Sequence, residues 1–417
     1  MKATLFSLLF EKPIETCRNP SPCVAGLLTS RPQSHASWKT SSSVCAVLPF
    51  PSQTQLTSLA PAHALSKQVH QHYLPKLLSH DPSVHAQPTT EAEISTRNRL
   101  FNVDGFGMAW YTPILSTFSP PIPATTKPTL HPALYKNIQP PLHDSNFRSL
   151  CANTSSPVLL AHIRAATATA ITPTNNHPFT FGIHTIMHNG YISSFAQIKR
   201  AMCNAMSQEA FEHIQGGTDT EHFAALLMTN LCPPSDKHTP NPYSGEESEA
   251  AFPAAWEQYH SVEEMHAALV KTIATINAIQ SAELGAKAEP NDLNICVTDG
   301  RSLVACRYRN HATEQPPSLY YSTSAGVTLN RQFPDHPDGA KGPHGKGQGK
   351  SANGKKAAEG AEGHNPHAQR DAEDHGRHVI VASEPTTYKE KEWTLIEKNR
   401  VVLVGPDGHV KVEDIGV

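Results

Sequence analysis

The run HTIMHNGYISSF, residues 184–195, is the stretch on which the prediction of the fold rests. It starts as an apolar, strand-like segment, reaches the dipeptide Asn189-Gly190, and continues into a helical pattern. An Asn-Gly pair ordinarily predicts a turn, and between two strands it favours a tight hairpin. Because a helix is expected here instead of a return strand, a second interpretation stays open. The Asn189 amide and the Gly190 backbone N–H could donate together to one ligand oxygen.

The segments around this run predict strands and helices in separate blocks. Capping-box spacings, Thr218 with Glu221 and Ser261 with Glu264, predict two helix starts. Repeated hairpin signals, including an Asp-Gly turn, favour antiparallel sheets over a doubly wound parallel sheet. The predicted fold class is therefore α+β. The predicted later strands cover residues 157–164, 293–300, 302–308, 318–324, 378–385 and 399–405.

Composition divides the chain into four parts. Residues 1–60 are rich in Ser, Thr and Pro, lack an apolar first strand, and are predicted to be disordered. The main domain is predicted at 61–331. A Gly-, His- and Lys-rich insertion at 332–377 cannot bury enough apolar surface to fold. Residues 378–417 are expected to return as strands that complete the same domain.

The overall composition excludes several classes of function. The net charge of −3, from 34 basic and 37 acidic residues, gives no electrostatic case for a nucleic-acid partner or an anionic membrane. No apolar run reaches the roughly 18–20 residues of a membrane span. The eight Cys lack CxxC spacing and are interpreted as mostly reduced thiols of a cytoplasmic protein. The 25 His form no metal signature, and no nucleotide-cofactor motif follows a strand, so neither a metal nor a cofactor is expected.

Two charged residues stand where a ligand could be held. Arg164 ends an apolar strand, where its planar fork could bind a carboxylate, although a structural arginine is the more common reading. Asp219 lies between a Gly-Gly pair and a helix, where it could bind an ammonium group or simply stabilise the helix start. The glycines of DGFG, residues 104–107, would allow close approach of a ligand or another chain segment.

Six segments, taken in order, carry a resemblance to a known family. The segments are NVDGFGMAWY, LLAHIRAAT, NNHPFTFGIHTIMHNGYISSF, QGGTDTEHF, LNICVTDG and VIVASEP. They resemble the class II glutamine amidotransferases of the N-terminal-nucleophile hydrolase superfamily. Within that family they are most similar to the fungal amidotransferase subunit of the Dug glutathione-degradation pathway and its bacterial relatives. The similarity spans about residues 62–331 and 378–405.

The resemblance implies a four-layer αββα sandwich that opens a γ-glutamyl amide through a thioester. The substrate would be glutamine or glutathione, and a metallopeptidase-like subunit would be the partner. It also implies a role for each matching residue. Arg164 would bind the substrate α-carboxylate with Thr167 nearby, Asn189 and Gly190 would form the oxyanion hole, Asp219 would bind the α-ammonium, and His177 and Gly217 would support the pocket.

The family's nucleophile is a Cys that becomes residue one after Met removal, and its own α-amine serves as the base. Here position 2 is Lys, so the sequence leaves three readings open. The natural protein starts with Met-Cys, or the chain is a non-catalytic relative that binds γ-glutamyl compounds or a partner, or processing exposes an internal Cys. Cys17, followed by Arg18, is the candidate for processing. A metal-buffering role confined to the His-containing insertion is a further alternative.

Overall fold

A computed structural model describes residues 42–53, 104–113, 129–164, 169–233, 254–325, 378–386 and 390–417. These residues lie within one compact unit, Lys39–Val417. The predicted insertion at 332–377, most of segment 1–60 and Thr167 lie outside the described residues. Within the described part, no helix combines the length and apolar character that a membrane crossing needs.

The described residues form two antiparallel sheets and five α-helices. The strands are β1 Ser42–Gln53, β2 Phe106–Thr112, β3 His131–Asn137, β4 Ser155–Ile163, β5 Phe179–Phe181, β6 His184–Tyr191, β7 Asp292–Thr298, β8 Leu303–Arg309, β9 Tyr320–Ser322, β10 Val379–Ala382, β11 Thr394–Leu395, β12 Arg400–Val404 and β13 Val410–Asp414. The helices are α1 Ser145–Asn153, α2 Phe195–Asn204, α3 Gln208–Glu212, α4 Asp219–Leu231 and α5 Val262–Leu284. Sheet A has the order β11-β9-β10-β1-β4-β2-β3, and sheet B has the order β13-β12-β8-β7-β6-β5.

Three apolar clusters join these elements into four layers. One cluster packs α1 against the outer face of sheet A, and a second fills the space between the sheets. The third packs α2, α4 and α5 against the outer face of sheet B. The order helix, sheet, sheet, helix confirms the predicted α+β fold with a four-layer αββα arrangement. The strands predicted at 293–300, 302–308, 318–324, 378–385 and 399–405 are present as β7, β8, β9, β10 and β12.

Strand β4 shows how the sequence directs the two faces of sheet A. Leu159 and Ile163 pack with the α1 cluster, whereas Val158 and Leu160 lie in the cluster between the sheets. Side chains alternate between faces along a strand, so the residue that follows β4, Arg164, continues the inner series. The continuous apolar run is therefore explained by burial on both faces.

The structure corrects the prediction of a turn at Asn189-Gly190. Strand β6 continues through both residues to Tyr191, with Asn189 opposite Asn294 and Gly190 opposite Leu293 on β7. The chain turns only afterwards, at residues 193–194. Pairing with β7 extends the strand by supplying hydrogen bonds that the local sequence cannot reveal.

The structure also places a strand, β1, inside the segment 1–60 where none was expected. Its backbone pairs with β10 on one side and with β4 on the other, and Cys45 lies opposite both Leu160 and Val381. The prediction was wrong here because two flanking strands stabilise β1, although its own sequence shows no sustained alternation.

The capping predictions are confirmed at α5 and confirmed in part at α4. Ser261 and Glu264 form a complete capping box. The Thr218 hydroxyl accepts a bond from the Glu221 backbone N–H at 3.1 Å, but the Glu221 carboxylate turns away to the backbone N–H groups of Gln215 and Gly216. The Glu221 carboxylate therefore fixes the glycine segment that precedes α4.

Candidate active site

Arg164 directly follows the last residue of β4 and is a buried cation, with 5% of its surface exposed. Its guanidinium donates to the Ala170 carbonyl at 3.0 Å and to the hydroxyl of Thr169. Burial lowers the pKa of Arg164, and the negative charges of Asp104 and Asp219 oppose that shift. An arginine remains protonated at neutral pH even after such a shift, so the strand end carries a fixed positive charge.

Asn175 joins the Arg164 loop to the glycine segment before α4. Its amide donates to the Ala170 carbonyl at 2.9 Å, and its Oδ1 accepts from the Gly217 N–H at 3.0 Å. Sequence reasoning did not single out Asn175. The only local signal was its position in the NNHPF segment, whose importance depends on contacts across 42 residues of sequence.

Asp219 begins α4 and faces the chain that follows the Asn-Gly pair. Its Oδ2 accepts from the Ile192 N–H at 2.9 Å, and its Oδ1 accepts from the Thr220 N–H at 2.8 Å. Asp219 is only partly buried, unlike its neighbours Thr220 and Glu221. A half-exposed carboxylate tied at both oxygens is a well-oriented acceptor for a cationic group.

Gly190 occupies a position that other residues would not tolerate. Its φ is +148°, and a Cβ built on it would lie 2.1 Å from the Asp292 carbonyl oxygen and 2.9 Å from His188 Nε2. Asn189 is 3% exposed and, by alternation from Met187, lies on the face toward sheet A, as Arg164 lies on the face toward sheet B. Both side chains thus face the space between the sheets.

Three buried histidines, His162, His177 and His188, lie close to these residues. The rings of His162 and His177 are in contact, with centroids 4.2 Å apart and planes tilted by 40°. Burial lowers the pKa of His162 to about 3 and holds the pKa values of His177 and His188 below their usual range. The imidazoles are therefore neutral at pH 7, and they act as packed polar groups and not as charges.

The glycines of the DGFG segment serve the close approach that the sequence predicted. A Cβ on Gly107 would lie 2.1 Å from the His177 carbonyl oxygen, and a Cβ on Gly105 would lie 2.5 Å from the Asn176 amide. The Gly105 carbonyl accepts from the Arg164 N–H at 2.8 Å. The segment thus presses the 175–177 loop against the strand that carries Arg164.

The structure describes six of the seven residues that the sequence singled out, and their assignment to one site stays a prediction. Thr167 is the exception, because it lies outside the described residues. Among the residues that the structure describes, no group of three or more His, Cys, Asp or Glu side chains could hold a metal ion. The six are Arg164, His177, Asn189, Gly190, Gly217 and Asp219.

The chain is similar in sequence to one curated protein and in structure to several solved ones. The chain is 29% identical over 312 residues to the probable glutamine amidotransferase DUG3 of Saccharomyces cerevisiae, covering 74% of this chain and 71% of that protein. Among solved structures, a glutamine aminotransferase class-II domain protein from Silicibacter pomeroyi matches with a TM-score of 0.42 and 19% identity, covering 75% of this chain and 91% of that one. A predicted glutamine amidotransferase from Pseudomonas aeruginosa PA01 matches with a TM-score of 0.36 and 18% identity, covering 74% and 87%. No family model matches the chain.

Proposed function

We propose, from the premise that the chain is a relative of the class II glutamine amidotransferases, that its site binds an α-amino acid head group and opens the γ-glutamyl amide of glutamine or glutathione. Arg164 binds the α-carboxylate and Asp219 binds the α-ammonium. Asn189 and Gly190 donate to the carbonyl oxygen as it becomes an oxyanion. Because Arg164 and Asp219 bind both charged groups of the amino acid, the reaction takes place at its side-chain carbonyl in this proposal.

One observation supports this proposal: hydrogen bonds, linked by two short backbone segments, connect Arg164 to the strand that carries the Asn-Gly pair. Arg164 donates to Ala170, and Asn175 connects Ala170 to Gly217. Two residues later, Asp219 accepts from Ile192, which lies two residues beyond Gly190. A cation, an anion and a donor pair are thereby fixed relative to one another, as recognition of a zwitterion requires.

The nucleophile, in this proposal, is carried at the start of β1. The backbone register puts Ser42 opposite Ile163 and Ser43 opposite His162, next to the strand end that carries Arg164. A terminal Cys there would add its thiol to the side-chain carbonyl carbon. Its α-amine would take the thiol proton and pass it to the leaving ammonia, and water would then hydrolyse the thioester.

Ligand binding tests the pocket independently of catalysis. We expect the full chain to bind glutamine or glutathione saturably in a calorimetric titration. Asp219→Ala should weaken that binding at least about tenfold, because it removes a charge-assisted bond worth about 1.5–3 kcal/mol. Arg164→Lys should weaken binding by a similar factor, because lysine keeps the positive charge but lacks the planar guanidinium that binds two carboxylate oxygens.

Exposed residues of the same types provide the controls. Arg148→Ala on α1 and Glu283→Ala on α5 should leave the affinity unchanged. A flat titration of the wild-type chain with both ligands would rule out the proposed pocket.

A second experiment separates an enzyme from a non-catalytic binding subunit. A chain that begins Met-Cys and continues from Ser43 should release ammonia from glutamine, whereas a chain that begins Met-Ser should bind without turnover. If the Met-Cys chain binds glutamine yet releases no ammonia, the alternative of a γ-glutamyl-binding or scaffold subunit is favoured instead.

The finer assignment to glutathione degradation rests on the resemblance of the sequence motifs to the Dug-pathway subunit. We propose that a metallopeptidase-like subunit completes the reaction on glutathione. Glutathione cleavage by the Met-Cys chain should then rise when that subunit is added, while glutamine hydrolysis should not. Equal rates on glutathione with and without the subunit would argue against a partner.

A further inference from the structure

His188 lies two residues before Gly190 and connects three elements of the site. Its Nε2 is 3.0 Å from the Asp292 carbonyl oxygen on β7, and its Nδ1 is 3.1 Å from the Thr220 hydroxyl on α4. Both His188 and Thr220 are 1% exposed. Because water does not reach them, each polar atom depends on these partners.

The partners fix the position of each proton. A backbone carbonyl only accepts, so Nε2 of His188 must carry the ring's hydrogen. Burial lowers the pKa of His188, and the neutral ring has no second hydrogen. Its Nδ1 is therefore an acceptor, and the Thr220 hydroxyl donates to it.

This arrangement has a consequence for Asp219. The Thr220 hydroxyl also lies 3.5 Å from Asp219 Oδ1, so the carboxylate is the second acceptor within its reach. A hydroxyl has one hydrogen, and His188 Nδ1 has the shorter contact. Without His188 the hydroxyl would turn toward Asp219 and occupy a lone pair of Oδ1.

We infer that His188 is a positioning residue for Asp219: the imidazole holds the Thr220 hydroxyl hydrogen away from the carboxylate, so that Oδ1 keeps a lone pair for the ammonium of an α-amino acid ligand. This inference rests on the proposed function, in which Asp219 binds that ammonium. It makes the neutral histidine a determinant of selectivity for ligands that carry an α-amino group.

A double-mutant cycle tests the inference by calorimetry with two probes, glutamine and its des-amino analogue 4-carbamoylbutanoate. In His188→Gln the amide nitrogen can still donate to the Asp292 carbonyl, but the ring nitrogen that accepts from the Thr220 hydroxyl is removed. We expect glutamine to bind about tenfold more weakly, the effect of losing roughly one hydrogen bond, while the analogue is unaffected.

The double variant gives the sharper result. Thr220→Val removes the competing hydroxyl, so Thr220→Val alone and His188→Gln/Thr220→Val should both bind glutamine within about twofold of wild type. A purely structural role predicts the opposite, because two packing defects add. Thr229→Val, on the same helix with its hydroxyl bonded to the Ala225 carbonyl, is the matched control and should change nothing.

The outcomes separate the two proposals. If the wild-type chain binds neither glutamine nor glutathione, the proposed function fails, and this inference fails with it. If the wild type binds but the double variant is no tighter than His188→Gln, or if both probes weaken equally, the inference alone fails. Should His188→Gln not fold, a loss of glutamine affinity in Thr220→Val would still overturn it.

Discussion

At the scale of single residues, the site contains positions that tolerate neither an additional side-chain atom nor an additional positive charge. Gly190 lies against the Asp292 carbonyl, and burial disfavours a positive charge on the buried histidines. These constraints arise from neighbours that are far away in sequence. Each can be tested by changing a single group.

Gly190→Ala should lower the free energy of unfolding by several kcal/mol, measured by urea denaturation. The new Cβ would lie 2.1 Å from a backbone oxygen, and the positive φ adds strain of about 1–3 kcal/mol. Gly285→Ala separates the two effects. Gly285 also has a positive φ, of +54°, but nothing lies within 4 Å of its Cβ position, so it should show the strain alone. Equal losses in the two variants would contradict the crowding.

The buried histidines predict a stability that falls in acid. Burial lowers the pKa of His162 to about 3, whereas an unfolded histidine titrates near 6.5. The unfolded chain therefore binds the proton first. The stability from His162 is fully present above pH 6.5 and declines as the pH falls from 6.5 toward 3, by about 1.4 kcal/mol per pH unit.

Urea titrations between pH 7 and pH 4 measure this slope. His162→Gln should make the slope shallower by roughly that amount, even if the variant is less stable at pH 7. His409→Gln, at an exposed position, should not change the slope. A His162→Gln slope equal to that of wild type would show that the ring is not kept neutral in the fold.

At the scale of elements, buried polar side chains hold the loops to the strands. Arg307 on β8 is fully buried and donates to the carbonyls of Pro316, Pro317 and Ile396 at 2.8, 2.8 and 3.0 Å. It thereby fixes the segment before β9 and the segment after β11. These connections determine how the edge strands return to the sheets.

Arg307→Lys should therefore cost about 3 kcal/mol of unfolding free energy, because a single ammonium cannot reproduce the fork and leaves buried carbonyls unpaired. Arg400 on β12 lies directly opposite Arg307 in the sheet but is 36% exposed, with Asp414 at 3.2 Å. Arg400→Lys is the matched control and should cost less than about 1 kcal/mol. If Arg307→Lys and Arg400→Lys lose similar unfolding free energy in chemical denaturation, the role proposed for the Arg307 guanidinium would be refuted.

At the scale of the whole molecule, the two sheets are joined by an apolar interior and a polar contact at its edge. The Tyr111 hydroxyl, on sheet A, lies 2.7 Å from the Ile183 carbonyl and 2.8 Å from the Thr185 hydroxyl, on the side of sheet B. Tyr111 is fully buried. This contact lies at the end of β2 opposite to the one where Gly107 meets His177.

Tyr111→Phe should lower the melting temperature, with a loss of about 1–3 kcal/mol from unpaired buried acceptors. Because the contact is remote from the site, the affinity for glutamine should stay within about twofold. Tyr308→Phe, where the hydroxyl only accepts from the Asn277 amide at 2.8 Å, offers a comparison within sheet B and one helix. A Tyr111→Phe variant as stable as wild type would mean that the hydroxyl does not couple the sheets.

The sequence by itself determined the fold class and most strands, and it indicated the charged residues proposed for the site, because periodicity and motif order are local properties of the chain. Arg164 at a strand end and Asp219 at a helix start were visible without coordinates. The sequence analysis did not predict β1 or the continuation of β6 through Asn189-Gly190. Both are strands stabilised by neighbours from distant parts of the sequence, which local propensity does not register.

Only the tertiary structure decided how the site residues depend on one another. Asn175 connects two loops, and His188 connects α4 with β7 behind Gly190. Hydrogen bonds of this kind are set by the pairing of β6 with β7 and by the docking of α4, so they exist only after the layers have packed. The sequence supplied the charged groups and the hydrogen-bond donors. The packing of the layers determined how these groups are oriented and which atoms carry the hydrogens.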